Sequence, residues 1–491
     1  MKLKLNIKKL LIKNLILCGS LLLDLTHKSI VRSFGGSGNE YLYSIIETSD
    51  RGILVAGESS SIDAGFDNKG SDDAIIIKYD KYGRKEWIKN FGGSKYDSFS
   101  SVIETRDKGI IAVGYSSSVD VGFTNSGKTD AIVVKYDKDG NQLWVKNFGG
   151  SNREFFYSVV ESSDGGIIAV GKSDSSDAEF GAKGDEDAIV VKYDSEGNQL
   201  WVKNFGGSAS DEFNSVVESS DGGIIAVGDS NSTNTGFTNK GDEDAIVVKY
   251  DKDGNQQWAK SFGGSDVDTF NSVIETSDKG IIAVGYSNSI NAGFNSKGGG
   301  DGIVIKYDNE GNQLWIKNFS GSGLERFDSV VETSDKGIMA TGFSNSVNAG
   351  FTNRGGNDAV IVKYNSEGNE QWIKNFGGVD EDCFESVIET SDNGILAVGY
   401  SWSIDAGFVN KGMYDVAIIK YNQDCKDNEY IFDKVYELEN TDNNINNIEK
   451  LEETRNLVNN IENEELDENI DETKLDLIDK YILSRLNHCI K

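Results

Sequence analysis

The chain contains no proline, and its 491 residues include only two histidines, four cysteines and three methionines. Without proline no turn can rest on a preset φ, so chain reversals must be built from Gly, Asn, Asp and Ser. Both histidines, His27 and His488, lie outside the repeated part of the sequence described below. That excludes a Ser-His-Asp or Cys-His arrangement, and a His-ligated metal site, within the repeats. Cys18, Cys383, Cys425 and Cys489 share no repeat position and no metal-ligand spacing, so they define neither a disulfide framework nor a redox compartment. Cations are also scarce, with 49 Lys and Arg against 80 Asp and Glu and a formal charge of −31. Such a balance argues against nucleic acid or an anionic membrane as a partner. It admits a cationic partner or divalent ions, although acidic surfaces often serve solubility alone. No apolar stretch approaches the length of a transmembrane helix.

What is present is a repeat. Phe34, Phe91, Phe148, Phe205, Phe262, Phe319 and Phe376 fall 57 residues apart, with no insertion or deletion between them. A period of this size marks a solenoid, a propeller or an array. In the unit from Phe148, residues 156–161 read as a first strand, A, followed by the turn Ser163-Asp164-Gly165-Gly166 and strand B at 167–171. A long polar loop at 173–187 leads to strand C at 188–193, then a turn at 194–198 and strand D from about 199 to 205. Strands B and C are continuous apolar runs, the pattern of strands covered on both faces.

Strand A occurs seven times, but the D-strand tryptophans Trp87, Trp144, Trp201, Trp258, Trp315 and Trp372 number six. The seventh D strand is found at the front of the chain, where Ile30-Val31-Arg32-Ser33-Phe34 aligns with Trp144-Val145-Lys146-Asn147-Phe148. The last unit stops after its strand C, near Tyr421. An all-β, seven-bladed β-propeller is therefore expected, closed by the N-terminal strand so that no sheet edge stays open. The alternative is an open β-solenoid, which would not need that strand. The expected organisation is a signal or lead-in segment at 1–27, the propeller at 28–422, and an acidic, helical or partly disordered tail at 423–491. In the first segment five lysines precede the apolar run 15–23, resembling an export signal, and Leu15-Ile16-Leu17-Cys18 resembles a lipoprotein box with a bulky Leu17. In the tail, Leu475, Ile478, Ile482, Leu486 and Cys489 form an amphipathic stripe that would dock on the propeller or self-associate.

With A innermost and D outermost, short A–B and C–D turns share one end of the blades, where Gly supplies positive φ and Asp an Asx-type bond. The other end carries the D–A crossovers and B–C loops far longer than a hairpin needs. Each loop holds one Phe (66, 123, 180, 237, 294, 351, 408) read as a peg. Crossover acids recur as Glu40, Asp97, Glu154, Asp211, Asp268, Glu325 and Asp382, and a second set, Asp73 to Asp415, precedes each strand C. The second set should cap loop N–H groups. The crossover acids either do the same or form a carboxylate ring that captures Ca²⁺ or a cationic ligand. No EF-hand or RTX-type nonapeptide is present, so no cofactor is expected, calcium being the one weakly indicated. A third acid ends strand A (Glu47 to Glu389), and Lys78 to Lys420 of strand C are available to pair with it. Departures from the repeat are mild: Arg153, Asp229, Gly302, Ser320, Trp402 and Met413. Trp402 stands out as a residue able either to stack on a sugar or to pack its loop.

The wording F-G-G-S-x-x-D-x-F-x-S-V-I-E-T-S-D-G-G-I-I-A-V-G-Y-S resembles a bacterial β-propeller repeat family, over about residues 34–422. At D-x-x-G-N-x-x-W it is also similar to quinoprotein-type propellers, in which the Trp docks between blades. It departs from WD repeats and from sialidase-type Asp-boxes. The resemblance implies a secreted or cell-surface bacterial protein and transfers no catalytic residue. The leading expectation is a non-enzymatic scaffold that binds a protein or glycan on the B–C loop face, through the seven crossover acids and Trp402. A carboxylate-based glycan-cleaving enzyme and an intracellular assembly scaffold are the rivals.

Overall fold

Strand B of every unit carries an invariant glycine, and in the computed structural model that glycine answers to a bulge in strand A. The structure describes residues 30–422 apart from 178–180, 182, 238 and 406–413; the expected lead-in and tail lie outside the described residues. Among the described residues twenty-eight strands, numbered in chain order, form seven four-stranded antiparallel sheets. In the fourth, β14 (Asp211–Glu218), β15 (Ile224–Ser230), β16 (Asp244–Tyr250) and β17 (Gln256–Phe262) lie side by side in sequence order. Pairing between β14 and β15 slips between Phe213 and Ser215, leaving Asn214 as the bulged residue. There the two backbones close in, and a Cβ on Gly228 would lie 2.0 Å from the Glu212 carbonyl oxygen.

The seventh sheet settles the closure. Its order is β1 (Ile30–Phe34), β28 (Asp415–Asn422), β27 (Gly394–Ser401) and β26 (Asp382–Glu389), so the first strand of the chain supplies the outer strand of the last blade. The chain divides into two units, Val31–Lys420, and Met1–Ile30 with Tyr421–Lys491. The first is the seven-bladed propeller; of the second, only residues 30, 421 and 422 are described. Among the described residues no helix is long and apolar enough to cross a membrane.

Strands B and C carry the core. Ile225, Val227, Ala245 and Val247 of the fourth blade pack with Phe270, Ile281, Ala283, Ile303 and Ile305 of the fifth, and the same cluster recurs between other neighbours. Both faces of each sheet are thus buried, which explains why B and C read as unbroken apolar runs. Strand D exposes its first residues and half-buries its Trp. Trp144 lies beneath Gly197 of the next blade's C–D turn, where φ is 77° and a Cβ would meet the indole at 2.9 Å. At the A–B turns the positive φ falls elsewhere than expected. It sits on the middle residue (Arg51, Lys108, Gly165, Gly222, Lys279, Lys336, Asn393), which is Gly in only two blades. The following glycine is needed for space instead: a Cβ on Gly52 would lie 2.6 Å from the Tyr79 carbonyl oxygen.

Candidate functional site

The crossover acids are buried and bonded. Glu40, Asp97, Glu154, Asp211, Asp268, Glu325 and Asp382 are each at most 1% exposed. Glu40 accepts from Gly36 N (2.8 Å), Ser59 Oγ (2.8 Å) and Ser61 Oγ (2.5 Å). Asp211 accepts from Gly207 N (2.9 Å), Ser232 Oγ (2.7 Å) and Ser230 Oγ. In this way the carboxylate ties the Gly-Gly-Ser crossover to the Ser-x-Ser segment after strand B. Corresponding bonds run to Asp97, Glu154, Asp268, Glu325 and Asp382. The expected ligand-capturing ring therefore faces its own loops, and a cation there would have to displace these donors. Burial is the first cause that raises the Asp382 carboxyl, to about 6, against the bonds from Ser401, Gly378 and Ser403.

The acids before strand C behave as expected of caps: Lys69 N, Lys183 N and Lys240 N donate to Asp73, Asp187 and Asp244 at 3.1, 2.9 and 3.1 Å. The described loop phenylalanines are pegs, Phe66 stacking on Phe34 and Phe237 on Phe205 at 6.2 Å each, while Phe180 and Phe408 lie outside the described residues. The strand-A glutamates and strand-C lysines, expected as partners, bond elsewhere. Each lysine instead meets the Asp of its own A–B turn, as Lys249 Nζ does Asp221 Oδ2 and Lys135 Nζ does Asp107 Oδ2, both at 2.7 Å. Each glutamate clamps the turn of the preceding blade. Ser49 N donates to Glu104 (2.8 Å), and round the ring Ser391 N donates to Glu47 (2.8 Å). A glutamate at the end of strand A reaches the neighbouring turn more directly than the lysine within its own sheet.

Two positions of strand A vary from blade to blade, the second residue (Tyr41, Ser98, Phe155, Glu212, Thr269, Arg326, Cys383) and the bulged fourth (Tyr43, Ser100, Tyr157, Asn214, Asn271, Asp328, Glu385). Adjacent A strands contact one another around the ring, so these residues line the inner wall at the loop end. The wall has two arcs. Around blades 7, 1, 2 and 3 it is aromatic: Tyr41 meets Tyr400 and Tyr414 at 5.3 Å, Trp402 packs on Tyr414 at 5.3 Å, and Tyr115 meets Phe155 edge-on at 4.8 Å. Trp402 thus packs its loop while remaining 40% exposed. Within this arc Tyr43 and Tyr96 hydroxyls donate to Glu58 Oε1 at 3.0 and 2.5 Å.

Around blades 3 to 7 the wall is charged. Lys172 Nζ bridges Glu186 (3.0 Å) and Glu212 (2.9 Å), and Arg326 Nε bonds Asp328. A cavity of about 430 Å³ opens here, lined among others by Lys172, Glu212, Asp229, Glu243, Thr269 and Arg326. Burial, then the charges of Glu212 and Glu243, raise the Asp229 carboxyl well above its ordinary range. Asp328, Cys383 and Glu385 bring three ligand-capable atoms within 4.8 Å of one another, the thiol lying 3.5 Å from Glu385 and 3.8 Å from Asp328. That set could hold a divalent ion, but the Arg326 guanidinium already supplies a cation to Asp328. A signal for the wall was present in the sequence, since these are the columns in which otherwise near-identical units disagree.

No protein-family model matches the chain. The regulatory protein FlaEY of Caulobacter vibrioides is 26% identical over 178 residues, which is 32% of this chain and 18% of that protein. The chain therefore spans less than a fifth of this relative's length. A Dyadobacter fermentans protein of unknown function aligns with 13% identity and a TM-score of 0.41, covering 81% of this chain and 98% of its own. BamB from Moraxella catarrhalis aligns with 14% identity and a TM-score of 0.37, over 77% and 85% of the two chains. Both are distant likenesses, and the fold stands on the strand order given above.

Proposed function

We propose that this is a non-enzymatic binding propeller that takes a protein partner on the end bearing the B–C loops. One observation carries the reading. Ile62, Val119, Ile290, Val347 and Ile404 occupy the same loop position in five consecutive blades, counted round the ring from 5 through 7 to 2, and are 62–78% exposed. Single exposed aliphatics need no explanation, but five at one repeat position make an apolar rim of the kind partners cover. In blades 3 and 4 the position is Ser176 and Thr233, beside the charged arc of the wall. Aliphatic side chains suit a protein surface, whereas a glycan would be expected to stack on flat aromatic faces such as Trp402. Export is part of the proposal and is supported by the basic and apolar stretch within residues 1–27.

The test is site-specific photo-crosslinking in the native host, with the reactive residue at position 290 and, as control, at Tyr82, which is 60% exposed in a C–D turn. Protein adducts at 290 alone are expected, in the exported fraction. Adducts at 82 alone, or glycan-array binding abolished by Trp402→Ala without any protein adduct, would overturn it.

A further inference from the structure

Resting on the loop end as the binding face, we infer that the cavity in the charged arc receives one primary alkylammonium group, seated against Asp229 and Glu243. Asp229 occupies the strand-B position held by Tyr115, Tyr286 and Tyr400 in other blades, and it is only 7% exposed. Its side chain lines the cavity together with Thr269 of the next blade, Glu212, Glu243 and Lys172. Lys172 already bridges Glu186 and Glu212, and Arg326 is bound to Asp328. Among the described residues neither Asp229 nor Glu243 has a cation within ion-pair distance. A buried carboxylate without a counter-ion is costly, and this one is aimed into a cavity with room for a cationic side chain.

The lining selects among cations. Ammonium carries three donors, and Asp229, Glu243 and the Thr269 hydroxyl offer acceptors from three elements. A quaternary ammonium would want several aromatic walls, and Tyr286 is the one aromatic residue lining the cavity. A divalent ion would meet twice the repulsion from the Lys172 ammonium that a monovalent cation in the same place does. Lysine of a protein partner and a free polyamine share the required chemistry. Burial and the neighbouring Glu212 and Glu243 favour the protonated form of Asp229, with Asp211, Glu212, Glu243, Glu186, Lys172, Tyr286 and Arg326 as the other titratable groups lining the cavity. Seating an ammonium favours the carboxylate, so binding should release a proton.

Calorimetry on the full chain tests this with N-acetyl-lysine methylamide and spermidine, against the uncharged N-acetyl-norleucine methylamide, in two buffers of different ionisation enthalpy. The lysine probe should bind and the norleucine probe should not. Asp229→Asn should weaken binding at least tenfold and remove the buffer dependence, with Glu243→Gln weakening it less. Preference for spermidine would keep the ammonium site and assign its source to a polyamine. Equal binding by Asp229→Asn and Glu243→Gln, by the norleucine probe, or no heat from either amine would overturn the inference. Photo-crosslinks confined to position 290 would leave the loop-end reading standing in that event.

Discussion

The two ends of each blade are built from the same residue types and treat charge in opposite ways. At the turn end, a half-exposed Asp meets the ammonium of a lysine that is itself buried in blades 1 to 6, and the pair is repeated seven times. At the loop end, carboxylates are buried against serine hydroxyls and glycine N–H groups with no cation in the arrangement. The turn end lets water share the cost of ionisation. At the loop end the crossover carboxylates rely on hydrogen bonds alone. Its inner wall nevertheless departs from uniformity, and there Asp229 is buried with no cation within ion-pair distance among the described residues.

The widest gap between the ends should appear on truncation. Asp211→Ala leaves Gly207 N and two serine hydroxyls without their acceptor and should cost about 2–4 kcal/mol, read from urea unfolding. Asp221→Ala at the turn end should cost about 1–2 kcal/mol, because water reaches the space vacated beside Lys249. Equal losses would abolish the distinction between the ends.

A second separation is in pH. Turn-end Asp107, held down to about 2 by Lys135 and Thr105, and Asp50, where Thr48 and Lys78 outweigh burial, have folded pKa values below the unfolded value of about 3.9. Their contribution is complete above about pH 4 and is lost as pH falls towards 2. Loop-end Asp73 and Asp382, raised by burial to about 6, run the other way. They keep protons in the fold that the unfolded chain has released, so stability falls as pH rises from about 4 to 6 and is level above. The urea midpoint should thus peak between roughly pH 4 and 5; a profile flat from pH 7 to 4 would remove the loop-end half of the comparison.

The smallest effect concerns backbone strain at the turn end. Lys279 holds a φ of 66° where blades 3 and 4 have glycine. Lys279→Gly should raise stability by about 0.5–1 kcal/mol, measured by thermal melting; a loss would mean that the Lys279 side chain makes a contact worth more than the strain.

The architecture was legible because a strict period multiplies every weak signal by seven. Strand positions, the missing seventh Trp and the spare strand at 30–34 together led to the ring and its seam. Pairing across blades was not legible, since a period cannot say whether Glu104 looks at Lys135 in its own sheet or at Ser49 next door. The crossover acids were visible as a set, but their burial depended on the two serines after strand B closing over them. The inner wall was hidden differently. Attention to what repeats directs the eye to Asp211 and away from Glu212, although Asp229 was visible as an exception to its column.

The seam also orders events in time. The outer strand of the last blade leaves the ribosome before the other described strands of the propeller, and its hydrogen-bonding neighbour, beginning at Asp415, leaves after them. At about 5–20 residues per second, roughly 20–80 s of translation separate them. Through that interval residues 30–34 must remain unclaimed while six blades with their own D strands are made. A cell making this protein therefore carries a bare closing strand for tens of seconds while the blades are added behind it, and any factor that shields such a strand would decide how much of the ring closes.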